Sequence, residues 1–461
     1  MSRSRVRIEK IGGTAMTRFA EVVDNIILRD KQDIYNRVYV VSAYGGVTNE
    51  LLEHKKTGRP GIYRKFADQE DFQRSMQGLK SHLCEMNKSF QEAGLDLEEA
   101  DRFISDRICG TVDILNSMRA VLASGYVSRK EILLASRELL ASIGEAHSAF
   151  NSANILSNRG HRASFVDLSG WEDSREMTID ERIRNNFQRV DPQQSICFVT
   201  GYTKGTEGIM REFDRGYSEV TFSKVAVLLE AAEAVIHKEF HLCSGDPKQV
   251  GADHIRPVGN TNFDVADQLA DVGMEAIHPK ASKPLELAGI PIRVKNAFEP
   301  DHPGTLITTD YLCPESRIEM IAGNDKFTHV EIHDAHMVGS VGFDLRIMQV
   351  LAEHGVSYVC KTTNANTIGI TVWDRDVTRE LIDNLGREFE KITTYRVAVV
   401  CAIGSNIAKP GVLAEAAGAL AKAEINILAV SQTARQTNMQ FIVSRDAFDA
   451  AVVALHRSLC E

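Results

Sequence analysis

Two glycine-rich segments close to the N-terminus constrain the fold of this chain more than any other feature. The first, residues 6–14, is a short strand that runs into the glycine pair Gly12 and Gly13, and a helical pattern follows at 18–28. The second, 38–49, repeats this order of strand, glycine pair and helix. A glycine pair lets backbone N–H groups approach an anion, although a simple tight turn is the alternative for either pair alone. Two such units in succession predict a doubly wound, mainly parallel α/β sheet with ligand-binding loops at one edge.

Further glycine-containing and polar motifs follow in a fixed order along the chain. They are Gly144-Glu145, Thr200-Gly201-Tyr202, Arg215-Gly216-Tyr217-Ser218-Glu219, Asp246-Pro247-Lys248, and Ile277-His278-Pro279 with the segments 289–294 and 303–307. Together with Lys10-Ile11-Gly12-Gly13-Thr14 and the phrase 42–49, these motifs resemble those of the aspartate kinases, within the amino-acid kinase superfamily. The resemblance implies a catalytic domain over 1–312 that has the amino-acid kinase fold, with a helical insertion at about 51–124. Ordinary helices covering one face of the sheet are the alternative for that insertion.

The last third of the chain contains an internal repeat. Val356 corresponds to Ile425 and Leu351 to Leu420, in both cases 69 residues further on. The pattern predicts a strand-helix-strand-strand-helix unit that is present twice. It resembles the tandem ferredoxin-like ACT domains at the end of aspartate kinases, here expected at 313–392 and 393–461. An additional strand candidate at 318–321 suggests that the two halves exchange elements.

Composition and charge exclude several other classes of protein. A chain of 461 residues with 43% hydrophobic content predicts more than one domain. The net charge of -10 argues against a nucleic-acid partner. The eight cysteines form no Cys-x-x-Cys pair, so reduced thiols are expected rather than a metal site. No apolar run is long enough to span a bilayer and no signal peptide is evident, so we expect no membrane contact and a cytoplasmic location.

The resemblance also implies the substrates, ATP with Mg²⁺ and L-aspartate, and a role for each site residue. Lys10 and Glu219 would be catalytic, Lys10 by neutralising charge on the transferred phosphoryl group. Arg215 would bind the α-carboxylate of aspartate and Glu145 its α-amino group. The remaining substrate contacts would come from Ser42, Thr48 and Ser218, and the nucleotide or phosphate contacts from Gly12, Gly13, Thr14, Gly216, Asp246 and Lys248. Glu138 is an alternative to Glu145 for this role. We prefer Glu145 because Glu145 lies 15 residues before Gly160.

The chain departs from the usual aspartate kinase pattern at several positions. Tyr217 and Glu219 stand in Arg-Gly-Tyr-Ser-Glu where the family usually has Arg-Gly-Gly-Ser-Asp. The usual Thr-Asp of the nucleotide strand is His237-Lys238, and a usual lysine is Glu275. Lys248 stands where the family often has arginine, and Ala15 replaces a serine. These departures resemble the divergent aspartate kinases that accompany ectoine biosynthesis, and they leave the nucleotide contacts open.

Other functions remain as alternatives. A degenerate kinase that binds an amino acid as a regulatory protein would explain the altered nucleotide strand. A kinase for glutamate or another small acid would keep the same fold. The ACT-like tail predicts a homodimer or a higher homo-oligomer, and an effector that is lysine, threonine or neither.

Overall fold

The computed structural model describes residues 6–30, 34–54, 57–171, 173–213, 216–274 and 277–461. The chain divides into two compact units, of which the first comprises Met1–His241 with Lys280–Leu306 and the second Leu242–Pro279 with Ile307–Glu461. The segment Leu242–Pro279, which the sequence analysis placed in the catalytic domain, is therefore grouped with the tail. The domain boundaries given above remain predictions.

Helices and strands alternate through most of the chain. The strands are β1 (Arg7–Ile11), β2 (Arg37–Val41), β3 (Ala163–Val166), β4 (Ile196–Thr200), β5 (Glu233–Lys238), β6 (Asn260–Asn262), β7 (Ile292–Asn296), β8 (Thr305–Thr308), β9 (Met320–His333), β10 (Tyr358–Thr363), β11 (Thr367–Trp373), β12 (Lys391–Ile403), β13 (Ile427–Gln432) and β14 (Asn438–Ser444). The helices are α1 (Gly13–Thr17), α2 (Phe19–Val22), α3 (Val47–Leu51), α4 (Ile62–Ala67), α5 (Gln73–Ser89), α6 (Leu97–Ser124), α7 (Arg129–Asn158), α8 (Ile179–Phe187), α9 (Ile209–Phe213), α10 (Tyr217–Leu228), α11 (Pro247–Val250), α12 (Phe263–Asp271), α13 (Pro279–Leu287), α14 (Phe343–Glu353), α15 (Arg379–Glu388), α16 (Val412–Lys422) and α17 (Phe448–Leu459).

The first unit is built on a parallel sheet with β1 near its centre. The strand order is β3-β4-β2-β1-β5-β7, and β1 pairs in parallel with β2 on one side and β5 on the other. Parallel strands covered on both faces are almost entirely apolar, and every residue of β2 and β4 is buried. Because the carboxyl ends of parallel strands share one edge, the loops after β1, β2 and β4 are brought to the same place. The predicted mainly parallel α/β fold is confirmed.

Helix α7 runs from the surface into the interior of the first unit. Its N-terminal turns are mostly exposed, whereas every residue from Leu140 to Ala149 is buried. The helix packs against β3 and β4 and against α6 of the stretch predicted as a helical insertion. A buried hydrogen-bond network of Asn87, His147 and Asn151 fixes α5 to α7. Side chains on the buried part of α7 therefore have fixed positions beneath the loops of the sheet edge.

The second unit contains an antiparallel sheet in the order β10-β11-β9-β12-β14-β13. The unit strand-helix-strand-strand-helix occurs twice, first from β9 to α15 and then from β12 to α17. The first part of β9 pairs with the end of β12, and the last part of β9 pairs with the start of β12. Each long strand thus serves both halves, which is the exchange of elements that the strand candidate at 318–321 suggested.

The sheet of the second unit separates two apolar cores. Along β12, Ala398 and Val400 face one core with α16 and α17, while Val397 and Val399 face another with α12. This alternation is the period of two that a strand imposes on its side chains. Since α12 lies within Leu242–Pro279, its packing on the sheet explains why that segment belongs to the second unit.

Candidate active site

The two glycine-rich loops of the first unit are in direct contact. The hydroxyl of Thr17 donates to Gly13 O at 3.1 Å and accepts from Gly45 N at 2.8 Å. A Cβ at Gly13 would lie 2.7 Å from Ala43 O, closer than any side chain can be placed. Position 13 therefore requires glycine because of this close approach, and Thr17 is a positioning residue that the sequence analysis missed.

Lys10 and Glu219 form an ion pair at the carboxyl edge of the sheet. Lys10 Nζ lies 3.4 Å from Glu219 Oε1, and the two side chains are 12% and 16% exposed. Lys10 is held by the central strand β1, and Glu219 lies in the first turn of α10. The glutamate that replaces the usual aspartate therefore reaches the lysine. Because both charges are largely removed from water, their interaction is stronger than that of a surface pair.

Glu145 is fully buried on α7 and faces the same loops. Its Oε1 accepts a hydrogen bond from the Tyr217 hydroxyl at 3.1 Å. Its Oε2 has no hydrogen-bond partner among the residues that the structure describes. Burial raises the pKa of Glu145 to about 7, although the Tyr217 hydrogen bond and the charge of Lys10 act in the opposite direction. One oxygen of this buried carboxyl group is therefore left without a hydrogen bond from the described residues.

Glycine residues close the space around Glu145. A Cβ at Gly201 would lie 2.8 Å from Ser218 Cβ and 3.2 Å from Glu145 Cγ. A Cβ at Gly144 would lie 2.6 Å from Ala43 Cβ. Close packing therefore explains the glycines of the motifs Gly144-Glu145 and Thr200-Gly201-Tyr202. At these two positions α7, the end of β4 and the loop after β2 approach one another too closely for a further side chain.

The other predicted site residues differ in how much the structure says of them. Ser42 and Ser218 hydroxyl oxygens lie 3.4 Å apart, near Glu145. Thr48 is half-buried in α3, Thr14 is exposed in α1, and Gly216 and Gly12 precede α10 and α1. Arg215 lies outside the described residues, as does Glu275. Asp246 accepts from Lys248 N at 2.9 Å and caps α11 in the second unit, where the Lys248 side chain is exposed.

Glu138, the alternative to Glu145, has both of its carboxylate oxygens occupied. It accepts hydrogen bonds from the Tyr202 hydroxyl and from Met210 N. It lies on α7 as Glu145 does, and burial raises its pKa as well. Because its protein partners already satisfy it, Glu138 is the less suitable of the two carboxylates for binding a substrate cation.

A buried cluster of charges explains the histidine of the altered nucleotide strand. Glu9 lies 2.6 Å from Arg37 Nε and 2.6 Å from His237 Nε2, and all three side chains are buried. Burial alone would raise the pKa of Glu9, but Arg37 and His237 hold it below its ordinary value. His237 on β5 therefore has a structural partner on β1, which single-strand patterns could not reveal.

Neither a membrane span nor a protein-only metal site is evident in the described part of the chain. Its helices include none with the length and apolarity needed to cross a bilayer. Among those same residues, no group of three or more His, Cys, Asp or Glu side chains could hold a metal ion. Mg²⁺ needs no such cage, because it is usually bound through one or two carboxylates together with substrate phosphates.

The fold and the site define a class of small-molecule kinase, and comparison with known proteins agrees. Residues 5–296 match the amino acid kinase family, and residues 400–459 match an ACT domain. The chain belongs to the amino acid kinase family. Within that family it is an aspartate kinase, as the alignment with its relatives shows.

Three relatives illustrate the relationship. The chain is 43% identical to the aspartate kinase Ask_Ect of Stutzerimonas stutzeri, over 98% of this chain and 97% of the relative. It is 26% identical to the chloroplastic aspartokinase 1 of Arabidopsis thaliana, over 98% and 80% of the two chains. The structure of Escherichia coli aspartokinase III with aspartate and ADP superposes with a TM-score of 0.75 at 21% identity, covering 99% of this chain and all of that one. The last comparison supports the fold alone.

Proposed function

We propose that the chain transfers the γ-phosphoryl group of ATP to the β-carboxylate of L-aspartate, which gives 4-phospho-L-aspartate and ADP. The observation that carries this proposal is the placement of the Lys10–Glu219 pair and the buried Glu145 around the same loops. Lys10 of this pair supplies a cation for the phosphoryl group, and Glu145 supplies an anion for the amino group. The E. coli relative was solved with aspartate and ADP, which agrees with these substrates.

Phosphoryl transfer depends mainly on charge neutralisation and alignment. Lys10 donates to the equatorial oxygens of the transferred group, on which negative charge is spread. Glu219 holds the Lys10 ammonium at 3.4 Å and so fixes its position before the substrates arrive. The β-carboxylate of aspartate can then attack only when its repulsion by the triphosphate has been screened.

Mg²⁺ is the expected metal, and the residues present are compatible with it. Glu219 is a hard carboxylate ligand at the sheet edge, and it would hold the ion directly or through a water while the phosphates supply further oxygens. When bound, Mg²⁺ would neutralise charge on the β- and γ-phosphates. The glycine amides at Gly12 and Gly13 would contact the same phosphates, with further contacts from Thr14 and Gly216. The nucleotide contacts of Asp246 and Lys248, which belong to the second unit, rest on the resemblance alone.

Recognition of aspartate requires a partner for each of its ionic ends. An unpaired charge in a closed site costs several kcal/mol, about 3 to 5 when one member of a buried pair is lost. We assign the α-carboxylate to Arg215, through a bidentate pair, and the α-ammonium group to Glu145. Ser42, Thr48 and Ser218 would add neutral hydrogen bonds.

The tail is proposed to join two copies of this chain. Its first half exposes Val341 and Leu345, which are 98% and 62% exposed, and its second half exposes Leu413 and Val430. An interface between two copies would remove these apolar side chains from water, and symmetric homodimers are the commonest assemblies of soluble oligomers. Sedimentation of Val341→Asp with Leu345→Arg tests this: a shift to the monomer mass supports the proposal, and an unchanged mass contradicts it.

The pathway and the regulation are further proposals. The product, 4-phospho-L-aspartate, is proposed to feed ectoine synthesis through aspartate semialdehyde, with which the likeness to Ask_Ect agrees, and the cytoplasm is proposed as its location. An effector at the tail, lysine or threonine, could act only through different affinities for two states of the enzyme. A degenerate kinase is less well supported, because a protein that only binds an amino acid has no need for the Lys10–Glu219 pair.

The proposed reaction can be tested with the full chain, ATP and Mg²⁺. ADP release is measured with L-aspartate, with L-glutamate and without an amino acid, and hydroxylamine is added to trap an acyl phosphate. We expect ADP release and a hydroxamate with aspartate alone. A preference for glutamate would support a kinase for another small acid, and no amino-acid-dependent release would support the degenerate kinase.

A further inference from the structure

Tyr217 is a residue whose position in the site has no counterpart in the usual family motif. It stands in Arg215-Gly216-Tyr217-Ser218-Glu219, where the resemblance leads us to expect glycine. Its side chain is 2% exposed and lies at the start of α10. Its hydroxyl donates to Glu145 Oε1 at 3.1 Å. A glycine at this position would supply no such donor, so the usual motif lacks this hydrogen bond.

The ring of Tyr217 is held in place by a second tyrosine. The rings of Tyr202 and Tyr217 meet edge to face, with centroids 5.9 Å apart and planes at 76°. The Tyr202 hydroxyl in turn donates to Glu138. Helix α7 therefore carries two buried carboxylates, each bonded by one of two touching tyrosines. Edge-to-face contact and burial restrict the Tyr217 ring to one orientation, and this fixes its hydroxyl.

The hydrogen bond leaves one oxygen of Glu145 available. Oε1 is occupied by Tyr217, whereas Oε2 has no partner in the described residues. The other charged group that faces Glu145 from a packed element is Lys10 of β1, which is itself paired with Glu219 of α10. The backbone amides of Glu145 itself and of Ala43, in the loop after β2, also lower its pKa, and Arg215 lies outside the described residues.

We propose that Tyr217 is a positioning residue for aspartate: it holds Glu145 through Oε1, favours its ionised form and directs Oε2 to the α-ammonium group. This inference rests on the proposed function, because it assumes that Glu145 binds the amino group. Burial raises the pKa of Glu145 and so works against its ionised form. A buried carboxyl group needs a donor to remain charged near neutral pH, and the Tyr217 hydrogen bond is the largest of the contributions that lower its pKa.

The variant Tyr217→Phe removes the hydroxyl and keeps the ring. We expect the acid limb of kcat/KM for aspartate to move to higher pH by about half a unit to one unit, as the loss of one hydrogen bond predicts. The KM for aspartate at pH 7 should rise by about fivefold to tenfold. The KM for ATP should stay within about twofold, since the nucleotide does not depend on Glu145. Tyr217→Met, which also lacks the hydroxyl, should move the acid limb in the same direction.

The matched control is Tyr202→Phe, which removes the neighbouring hydroxyl and leaves the same ring contact. Its acid limb should coincide with that of the parent enzyme. An unchanged acid limb in Tyr217→Phe, or a lower kcat alone, would overturn the inference and indicate a purely structural role.

If the parent shows no aspartate-dependent ADP release, the proposed function fails separately. The pH dependence of unfolding then still tests the hydrogen bond, because its loss should raise the pKa of Glu145 in the folded state, and an unchanged dependence would overturn the inference.

Discussion

At the scale of single residues, the carboxyl group of Glu145 is proposed to bind the substrate, but its ionisation in a buried position lowers the stability of the fold. Its folded-state pKa of about 7 lies above its ordinary value of 4.5 because of burial. Between these two values the unfolded chain loses a proton that the folded chain retains, so folding becomes less favourable as the pH rises. An ionised carboxylate that awaits a substrate cation is therefore kept at a cost to stability.

The variant Glu145→Gln should lack this dependence. Its free energy of unfolding relative to the parent should increase between pH 4 and pH 8 by up to about 3 kcal/mol, because Gln does not titrate. Denaturant unfolding at the two pH values measures the effect, and any constant cost of the amide cancels in the difference. A relative stability that is the same at both pH values would show that the carboxyl group titrates normally.

Lys10 should contribute to catalysis rather than to aspartate binding. Lys10→Met should lower kcat by about a hundredfold or more, the scale of losing one preorganised charge donor, and leave the KM for aspartate nearly unchanged. The control is Lys130→Met, which removes an exposed lysine at the start of α7. A kcat of Lys10→Met within threefold of the parent would remove Lys10 from the phosphate site.

The sequence predicted which residues meet at the site but not how they are bonded. Lys10 and Ser42 could be placed together because they lie at the carboxyl ends of β1 and β2, whereas Ser218 and Glu219 were assigned to the same site by the resemblance of their motif. The bond from Tyr217 to Glu145 joins residues 72 positions apart, and the bond from His237 to Glu9 spans 228. Local patterns contain no information on such side-chain pairs, because they depend on the final register of the strands.

At the scale of elements, the buried polar cluster of Glu9, Arg37 and His237 on β1, β2 and β5 should act as one unit. Arg37→Ala would leave Glu9 without its arginine partner, so we expect a loss of about 3 to 5 kcal/mol in the free energy of unfolding. Glu9→Gln in the same chain should recover part of this loss, and a double-mutant cycle measures the coupling. The control Arg64→Ala breaks an exposed pair with Asp68 and should cost less than about 1 kcal/mol. Equal losses in both arginine variants would contradict the account.

The repeat in the tail was easier to predict than its pairing. Offsets between equivalent positions reveal duplication because the same apolar spacing recurs. The sequence also contained the strand candidate at 318–321, which falls at the start of β9. The division of β9 and β12 between two sheet halves was only suggested, because strand register depends on partners that are distant in the sequence.

At the scale of the whole molecule, the two compact units do not follow the order of the chain. Leu242–Pro279 precedes the tail by many residues, yet its helix α12 contributes to an apolar core of the tail sheet. The helical spacing of α12 is visible in the sequence, but the surface that it covers is not. A truncation that removes the tail sheet would therefore uncover the apolar face of α12. Substitutions in the full-length chain are for this reason the sounder test of the tail.

The central claim is that Glu145, and not Glu138, binds the amino group of aspartate, while other residues act on the phosphoryl group. The direct measurement compares Glu145→Gln with Glu138→Gln, since both carboxylates are buried on α7 and bonded by a tyrosine. For Glu145→Gln we predict a KM for aspartate raised by about tenfold to a hundredfold and a nearly constant KM for ATP. For Glu138→Gln we predict parental values. The opposite assignment, with the KM for aspartate raised only in Glu138→Gln, would contradict the account.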